Sequence, residues 1–455
     1  MNEILSFSSR FPHARLGLAL LLGFHIVACC LSLVYVAEFY ASFHVMFDKA
    51  HLYAASLNVG LFAIVAASFT FSRFSFGYFL GFYFYTMILG YLWIGEFSNF
   101  HYDHRLAAVS IFVSAMAFLV PALFITSPIK QRLVLSPRAL ENLLSLILVL
   151  APAVVAAGAF YNFRLVSLEN IYDFRNEVGF PAWLSYAIGA MSNALLPFAF
   201  ACFVFRGNRW RAAAVLLLLL LFYPVTLTKI ALFAPLWLMF LALLPRFFDL
   251  RTSVVLSLFV PISVGVVLVA VDGFSYGPIK QYFGAINFRM IAFPSVALDV
   301  YGDFFSTHDR TYFCQISFVK PFMSCPYNEY LSLTMAKAYQ LGNLNASLFA
   351  TEGIASVGPV LSPLAAFACG LVISLANRLS AGLPPTFVLM SSGILPQIFL
   401  NVPLTTTLLT NGAALLFLLW YVTPAPCSKP RQATGKSFRI NRSRARQVRE
   451  RLPMR

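Results

Sequence analysis

Four ionisable side chains lie close together in the segment 299–310, DVYGDFFSTHDR. They are Asp303, His308, Asp309 and Arg310. An imidazole titrates near neutral pH, so His308 is suited to take a proton from a reacting hydroxyl. Glu352 is a second candidate base, because a carboxylate at the start of a long apolar run is costly and therefore indicates a function. A single loop histidine is more often structural than catalytic, so both candidates stay open.

Basic side chains accompany these acids in two polar stretches, 163–181 and 272–354. Guanidinium groups stay protonated and offer forked donors that match phosphate oxygens, so this pattern predicts a site for an anion. Each cation taken alone is more often solvated or salt-bridged. The cations of the predicted anion site are Arg164, Arg175, Lys229, Lys280, Arg289 and Arg310, and Asn345 is a further predicted substrate-binding residue.

Seven cysteines are too few for a disulfide scaffold, and most of them lie in apolar runs. Cys314 and Cys325 differ, because both lie in the polar stretch 272–354. In an oxidising compartment we expect these two thiols to form a disulfide that closes the segment between them.

Several kinds of chemistry lack support in this sequence. There is no Walker-type glycine-rich loop, no clustered histidine–cysteine motif and no serine nucleophile elbow. The formal charge of +15 is not arranged as a groove-binding patch, so we expect no nucleic-acid partner. We also expect neither a metal nor another cofactor.

The composition predicts an all-α polytopic membrane protein. Apolar residues make up 60% of the 455 residues and charged residues 11%, whereas soluble proteins average about 45–50% and about 25%. A spanning helix needs about 20 largely apolar residues. Twelve such segments are predicted: Leu16–Val36, Leu52–Thr70, Phe76–Gly95, Leu106–Thr126, Asn142–Asn162, Ala182–Phe205, Ala212–Leu227, Ile230–Leu244, Ser253–Val271, Ala355–Asn377, Thr386–Leu400 and Thr405–Val422.

The seventh and eighth segments form one apolar run that is a hairpin or one kinked helix. With a hairpin, 22 of the 32 basic residues and only four of the 17 acids lie on one side, which the positive-inside rule favours as the cytoplasmic side. We therefore expect a transmembrane domain over 1–424 with both termini cytoplasmic. The basic tail 425–455 is predicted to be disordered, and 163–181 and the large cap loop 272–354 to face outward.

The chain resembles the Wzy-type O-antigen polymerases, which join oligosaccharide repeat units and share their plan with the O-antigen ligases. The resemblance rests on the many spans, the two outer loops and three stretches. These are YDFRNE at 172–177, TLTKIALFAPL at 226–236 and NASLFATEGIASVGPV at 345–360. It implies a fold similar to the GT-C glycosyltransferases, in the bacterial inner membrane. A disulfide in the second loop is not a general feature of this family.

The resemblance implies a glycosyltransferase that polymerises undecaprenyl-pyrophosphate-linked oligosaccharide for a surface polysaccharide such as O-antigen or exopolysaccharide. Arg175 and Arg289 or Arg310 would stabilise the pyrophosphate leaving group, and His308 or Glu352 would accept the proton. Membrane lipid and a protein that regulates chain length are the further partners implied. Two alternatives stay open, namely an O-antigen ligase of the same architecture and a flippase or transporter of lipid-linked sugar.

Overall fold

The structure, a computed structural model, describes residues 11–166, 171, 174, 178–274, 277–316 and 319–424, with side chains from Arg15 onward. Within these ranges eleven helices are long and apolar enough to cross a membrane. They are α1 (Arg15–Phe39), α2 (Lys49–Phe71), α3 (Phe76–Ile94), α4 (His104–Phe124), α5 (Pro137–Tyr161), α6 (Ala182–Phe205), α7 (Arg209–Thr226), α8 (Lys229–Arg246), α9 (Leu250–Asp272), α10 (Gly277–Thr307) and α12 (Phe349–Ser380). The shorter helices are α11 (Leu331–Tyr339), α13 (Pro385–Ser391), α14 (Leu395–Phe399), α15 (Leu404–Leu409) and α16 (Ala413–Val422).

Helix α3 is the centre of the molecule, and every one of its residues is buried. Its sequence is apolar and aromatic on all sides, as expected for a helix surrounded by other helices. Phe84 illustrates the packing, because its ring makes edge-to-face contacts with Phe118 of α4 and Phe349 of α12. At Gly90, the missing side chain leaves room for Ser295 of α10, whose hydroxyl lies 2.5 Å from where a Cβ would stand. Small residues allow this close approach of helices.

Contacts between loops define one face of the helix bundle. Loops 40–48 and 95–103 join through an isolated bridge between Val45 and Ser98. The amide of His101 donates to Asp303 near the end of α10, at 3.2 Å. The amide of Thr311 donates to the carbonyl of Ala355 in the first turns of α12, at 2.8 Å. Loops 40–48, 95–103 and 308–348 therefore share one side, which we call the cap face.

The opposite helix ends define the basic face, formed by the connections 72–75, 125–136, 206–208, 247–249 and 381–384. Arg251 donates to the carbonyl of Thr70 at 3.0 Å, and the amide of Leu135 donates to the carbonyl of Val422 at 2.8 Å. Many of the basic residues that the sequence analysis assigned to one side of the membrane lie on this face. They are Arg73, Lys130, Arg132, Arg138, Arg206, Arg209, Arg211, Arg246, Arg251 and Arg378.

The run 212–244 forms a hairpin of two helices, α7 and α8. The chain turns between them at Leu227, which adopts the left-handed conformation with φ of 48°. Thr228 then caps α8, since its hydroxyl accepts a hydrogen bond from the amide of Ala231. The interpretation as a single kinked helix is therefore wrong, and Lys229 lies at the hairpin tip.

Residues 277–307 differ from the expected irregular loop, because they form the long helix α10. Both of its ends contact the cap face. Phe274, just before α10, stacks on Phe39 at the cap-face end of α1, with ring centroids 4.1 Å apart. Asp303, near its other end, bonds to loop 95–103. Helix α10 thus begins and ends on the same face, although its length and composition would suffice for a crossing.

The last two predicted spans also differ from the structure, since residues 385–422 form four short helices. Gly393, Pro396, Pro403 and Gly412 interrupt the apolar pattern here, and proline and glycine both disfavour a continuous helix. Helix α16 has only ten residues, or about 15 Å, which is half of a bilayer core of about 30 Å. We call residues 385–422 the broken hairpin.

The broken hairpin begins and ends at the basic face. Phe387 packs against Phe205 at the end of α6, with ring centroids 5.7 Å apart, and Val422 accepts from Leu135. Between these ends the chain rises to Gly412, where an added Cβ would lie 2.9 Å from the Cα of Ala190. Ala190 is eight residues into α6, so the tip lies roughly 12 Å below the cap-face end of that helix.

Candidate functional site

The tip of the broken hairpin holds a buried carboxylate. Glu352, in the first turns of α12, is 6% exposed. Its Oε1 accepts hydrogen bonds from the amide of Thr405 at 3.2 Å and from the hydroxyl of Thr405 at 3.4 Å. Its Oε2 accepts from the hydroxyl of Thr351. These donors compensate the cost of burying a charged or polar group.

Two π-helical turns meet this tip. Residues Phe349–Ala355 form a π-helix that carries Glu352, and residues Met191–Leu195 form a second one within α6. Asn193, in the second turn, donates to the side chain of Asn411 at 2.9 Å. A π-turn widens the helix and leaves backbone groups without their regular partners, and such turns are frequent at functional sites. The tip is therefore a polar junction inside the helix bundle, and we call Glu352, Thr405, Asn193 and Asn411 the tip site.

A hydrogen-bond chain connects the tip site to the cap face. The hydroxyl of Thr351 bonds to Glu352, and the hydroxyl of Ser356 donates to the carbonyl of Thr351 at 2.8 Å. The hydroxyls of Ser356 and Thr311 lie 3.0 Å apart. Thr311 follows Arg310 directly, so the chain joins the buried carboxylate to the segment that carries this arginine.

Arg310 is exposed on the cap face, and its guanidinium packs against the backbone of Gly358. Gly358 interrupts α12 with φ of 77°, a conformation that other residues rarely adopt. A Cβ at this position would lie 2.4 Å from the Cζ of Arg310. The glycine therefore permits both the break in the helix and the contact of the Arg310 guanidinium with the backbone of α12.

A second buried carboxylate, Asp299, lies in α10 beneath loop 95–103. It is fully buried, and its Oδ1 accepts a hydrogen bond from the hydroxyl of Tyr102, which in turn lies 3.0 Å from the hydroxyl of Tyr91. The Oδ2 atom has no hydrogen-bond partner within the described ranges. The rings of His104 and Tyr102 pack in a tilted arrangement with centroids 4.1 Å apart. One helical turn further along, Asp303 accepts from the hydroxyl of Tyr339 at 2.6 Å.

The tyrosines of this second cluster keep their protons. Burial raises the pKa of Tyr102 well above its ordinary value, and the neighbouring Tyr91 and Asp299 add to the shift. Burial also raises the pKa of Tyr339, and its hydrogen bond to Asp303 acts in the same direction. Both phenols therefore act as hydrogen-bond donors to the two carboxylates at neutral pH.

The cap segment 308–348 contains a disulfide. Cys314 and Cys325, whose pairing the sequence predicts, are bonded and have Cα atoms 5.3 Å apart. Gln315, just after the first of these cysteines, donates to the carbonyls of Tyr327 and Glu329, which follow the second. Tyr327 donates through its hydroxyl to the carbonyl of Asp309 at 2.6 Å, which ties this part of the cap to the residue before Arg310. Burial raises the pKa of Tyr327, so this donor also keeps its proton.

Of the predicted bases, Glu352 lies in the tip site and His308 does not. His308 is exposed, and its ring stacks on Phe304 at a centroid distance of 3.9 Å. Its Nδ1 lies 2.9 Å from the carbonyl of Phe304, so the imidazole caps the end of α10. This is the arrangement expected of a structural histidine. Asn345 is exposed a few residues before the π-turn that carries Glu352.

The predicted cations lie in separate places on the cap-face side. Lys280 lies over the ring of Phe274 at 5.9 Å, and Arg289 lies over the ring of Phe293 at 4.4 Å. Arg164 belongs to a segment that packs on the α7–α8 hairpin, where its amide donates to the carbonyl of Pro224 at 2.9 Å. Lys229 lies at the tip of that same hairpin. Arg175 lies outside the described residues. Of the predicted catalytic groups within the described ranges, Glu352 lies in the tip site, and Arg310 lies on the cap face next to Thr311, where the hydrogen-bond chain from Glu352 ends.

The sequence analysis missed several residues of these two clusters, namely Asn193, Thr405, Asn411, Asp299 and Tyr102. One signal could have indicated two of them, Thr405 and Asn411. The stretch NVPLTTTLLTNG at 401–412 places amides, hydroxyls, a proline and a glycine inside an otherwise apolar region. Such a stretch is typical of a broken membrane helix that lines a site.

Comparison with protein-family models, with curated proteins and with solved structures finds no match to this chain. The candidate site is therefore argued from its own geometry.

Proposed function

We propose that this chain is a membrane glycosyltransferase that polymerises oligosaccharide repeat units carried on undecaprenyl pyrophosphate. The cap face would be periplasmic, because the basic face carries the residues that the positive-inside rule keeps in the cytoplasm. The observation that carries the proposal is the hydrogen-bond chain that links buried Glu352, through Thr351 and Ser356, to Thr311. Arg310, whose guanidinium is exposed on the cap face, is the residue before Thr311.

The reaction needs a proton acceptor and a group that stabilises a leaving anion. A sugar hydroxyl of the acceptor attacks the anomeric carbon of the donor, and the bond from that carbon to the pyrophosphate oxygen breaks. The carboxylate of Glu352 takes the hydroxyl proton, and the pyrophosphate keeps the bonding electron pair. Arg310 stabilises the negative charge that develops on it, as forked guanidinium donors do for phosphate oxygens.

A purified-component assay tests this proposal. The protein is placed in liposomes with lipid-linked repeat units, and product length is followed by gel electrophoresis. Arg310→Gln and Glu352→Gln are each expected to lower the polymerisation rate by about a hundredfold, the effect of losing a charge-stabilising or proton-accepting group. Lys49→Gln and Glu329→Gln, which change the same charges elsewhere on the cap face, should leave the rate unchanged. Normal polymerisation by both Arg310 and Glu352 variants would show that the assigned site is wrong.

Transport of a lipid-linked sugar is the second candidate, and the broken hairpin favours it. Transporters often build their substrate sites from discontinuous helices with polar backbone near mid-membrane. The tip site has this form, since Thr405 and Asn411 lie in interrupted segments that contact α6 and α12.

Measurements in the same liposomes distinguish the polymerase from the transporter. A polymerase makes longer chains when donor and acceptor are both on the cap-face side, whereas a transporter moves the labelled lipid across the bilayer and makes no new bond. Deleting the protein in its host gives a second measurement. Loss of a polymerase leaves single repeat units on the cell surface, and loss of a flippase leaves lipid-linked units inside the cell.

A further inference from the structure

The turn that follows Arg310 holds two large side chains in an unfavourable backbone conformation. The amide of Cys314 donates to the carbonyl of Thr311 at 2.9 Å and closes a turn of four residues. The two central residues, Tyr312 and Phe313, have φ of 47° and 68°. Turns with positive φ at both central positions normally take asparagine, aspartate or glycine there. Bulky residues rarely adopt positive φ, so this turn is strained.

Hydrogen bonds to α12 hold the first half of the turn. The amide of Thr311 donates to the carbonyl of Ala355 at 2.8 Å. The amide of Tyr312 donates to the carbonyl of Ser356 at 3.2 Å, and the hydroxyls of Ser356 and Thr311 lie 3.0 Å apart. The turn is therefore bound to the same helix that the guanidinium of Arg310 contacts.

The disulfide holds the other end of the turn. Cys314, the last residue of the turn, is fully buried and is bonded to Cys325. Two residues after Cys325, the hydroxyl of Tyr327 donates to the carbonyl of Asp309 at 2.6 Å. The chain that follows the second cysteine is thus joined to the residue before Arg310 and to the end of the turn. A strained conformation persists only where surrounding contacts over-determine it, and the disulfide is the covalent one among these contacts.

We propose that the disulfide between Cys314 and Cys325 positions Arg310 for the transfer reaction by holding the strained turn against α12. Without this bond, the central residues of the turn relax to negative φ, the turn leaves α12, and the guanidinium loses its contact with Gly358. The two cysteines are positioning residues, because they act through the arginine. Their role in transfer rests on the function proposed above, whereas the attachment of the turn to α12 does not.

Hydrogen exchange on the full-length protein in nanodiscs tests the attachment. The protein is compared with its disulfide intact and after dithiothreitol has reduced the disulfide to two thiols and has itself become a cyclic disulfide. Cys325 is partly exposed, so the reductant reaches it. Reduction is expected to accelerate exchange of the amides of residues 311–314 by about tenfold, because the strain is released.

Amides of α3 should exchange at the same rate in both forms, since the expected change is local. The Cys314→Ala, Cys325→Ala double variant should exchange like the reduced protein. Unchanged exchange in residues 311–314 would overturn the proposal. Faster exchange in α3 as well would also overturn it, because the disulfide would then stabilise the whole fold.

A matched variant tests whether strain is the reason. Tyr312→Asn, Phe313→Gly supplies the residue pair that favours positive φ at both central positions. The turn should then stay on α12 without the disulfide, so reduction should change its exchange by less than about twofold. Equal acceleration in this variant and in the wild-type protein would show that strain plays no part, and the proposal would be overturned.

Polymerisation rates distinguish positioning of Arg310 from a purely structural role. Reduction is expected to lower the rate of the wild-type protein by about tenfold, and reoxidation should restore it. In the Arg310→Gln variant reduction should cause no further loss, because groups that act through one another are not additive. An equal fractional loss in both proteins would show that the disulfide does not act through this arginine.

The two measurements separate failure of this inference from failure of the proposed function. If the protein with an intact disulfide makes no polymer, the proposed function is wrong, and so is the role of the disulfide in transfer. Hydrogen exchange then still decides whether the disulfide holds the turn. If the protein polymerises and reduction changes neither exchange nor rate, the proposed function stands and the positioning role is wrong.

Discussion

Gly358 determines how Arg310 approaches α12, because only a residue without a Cβ fits its backbone conformation and its contact. Gly358→Ala is expected to cost about 1–3 kcal/mol, because φ of 77° with ψ of 172° is a backbone conformation open almost only to glycine, and to displace the guanidinium. Thermal unfolding and the polymerisation assay measure the two effects. Gly60→Ala is the matched control, since no atom lies within 4 Å of a Cβ there and alanine favours a helix. If both variants unfold alike, the predicted backbone cost at Gly358 is wrong.

Tyr102 is the hydrogen-bond donor to the fully buried Asp299. In the Tyr102→Phe variant the carboxyl group loses this donor while the ring packing on His104 is kept. We expect a loss of about 1–3 kcal/mol in the free energy of unfolding, the cost of leaving a buried polar group unsatisfied.

Tyr53→Phe provides the comparison for this change, because the Tyr53 side chain is 80% exposed and the same hydroxyl is removed. Denaturant unfolding of both variants gives the difference. An equal effect of the two substitutions would mean that Asp299 finds another donor, such as an ordered water.

At the scale of elements, Asn377 joins three helices at the basic face. Its side chain accepts from the amide of Gly77 in α3 at 2.6 Å and donates to the carbonyl of Ala122 in α4 at 2.7 Å. Asn377→Leu leaves two buried backbone groups without partners, so we expect a loss of about 2–6 kcal/mol in stability. Asn343→Leu, on the exposed cap, should change stability little. The melting temperatures of the two variants provide the test.

The broken hairpin and α10 show why helix length alone does not establish topology. Helix α10 has the composition of a span, yet its partners at both ends lie on the cap face. The broken hairpin begins and ends on the basic face, because proline and glycine interrupt its apolar segments. Polar groups at its tip form hydrogen bonds with Glu352 of α12 and Asn193 of α6.

At the scale of the whole molecule, these two features predict a pattern of chemical labelling. Single cysteines at Lys280 and Ser306 should both react with a membrane-impermeant maleimide from the side that also labels Met46→Cys. A cysteine at Gly382 should react from the opposite side only, together with Arg132→Cys. One at Thr410 should react from neither side, because the tip lies inside the helix bundle.

The labelling is done on vesicles of both orientations, with Cys427 replaced by serine. Cys29, Cys202 and Cys369 are buried and Cys30 is partly buried, so the reaction of these thiols should be slow. Labelling of Lys280→Cys and Ser306→Cys from opposite sides would show that α10 crosses the membrane. The two ends of α10 would then lie on different faces, and the assignment of both ends to the cap face would be wrong.

Local composition was sufficient to predict the polytopic helical class, the first ten predicted spans and the separation of basic residues to one face. These properties depend on the cost of burying charge and backbone in lipid, which acts on each segment independently. The pairing of Cys314 with Cys325 was also predictable, because the two thiols are close in the sequence and lie in a polar stretch.

The placement of α10 along the cap face, the broken hairpin and the tip site were decided by tertiary structure. Thr311 and Ser356 are 45 positions apart, and Glu352 and Thr405 are 53 apart, so only packing brings each pair together. Their polar atoms are tolerated inside the bundle because each finds a partner on another helix. No single segment contains that information, since the hydrogen bonds that compensate its buried groups come from elsewhere in the chain.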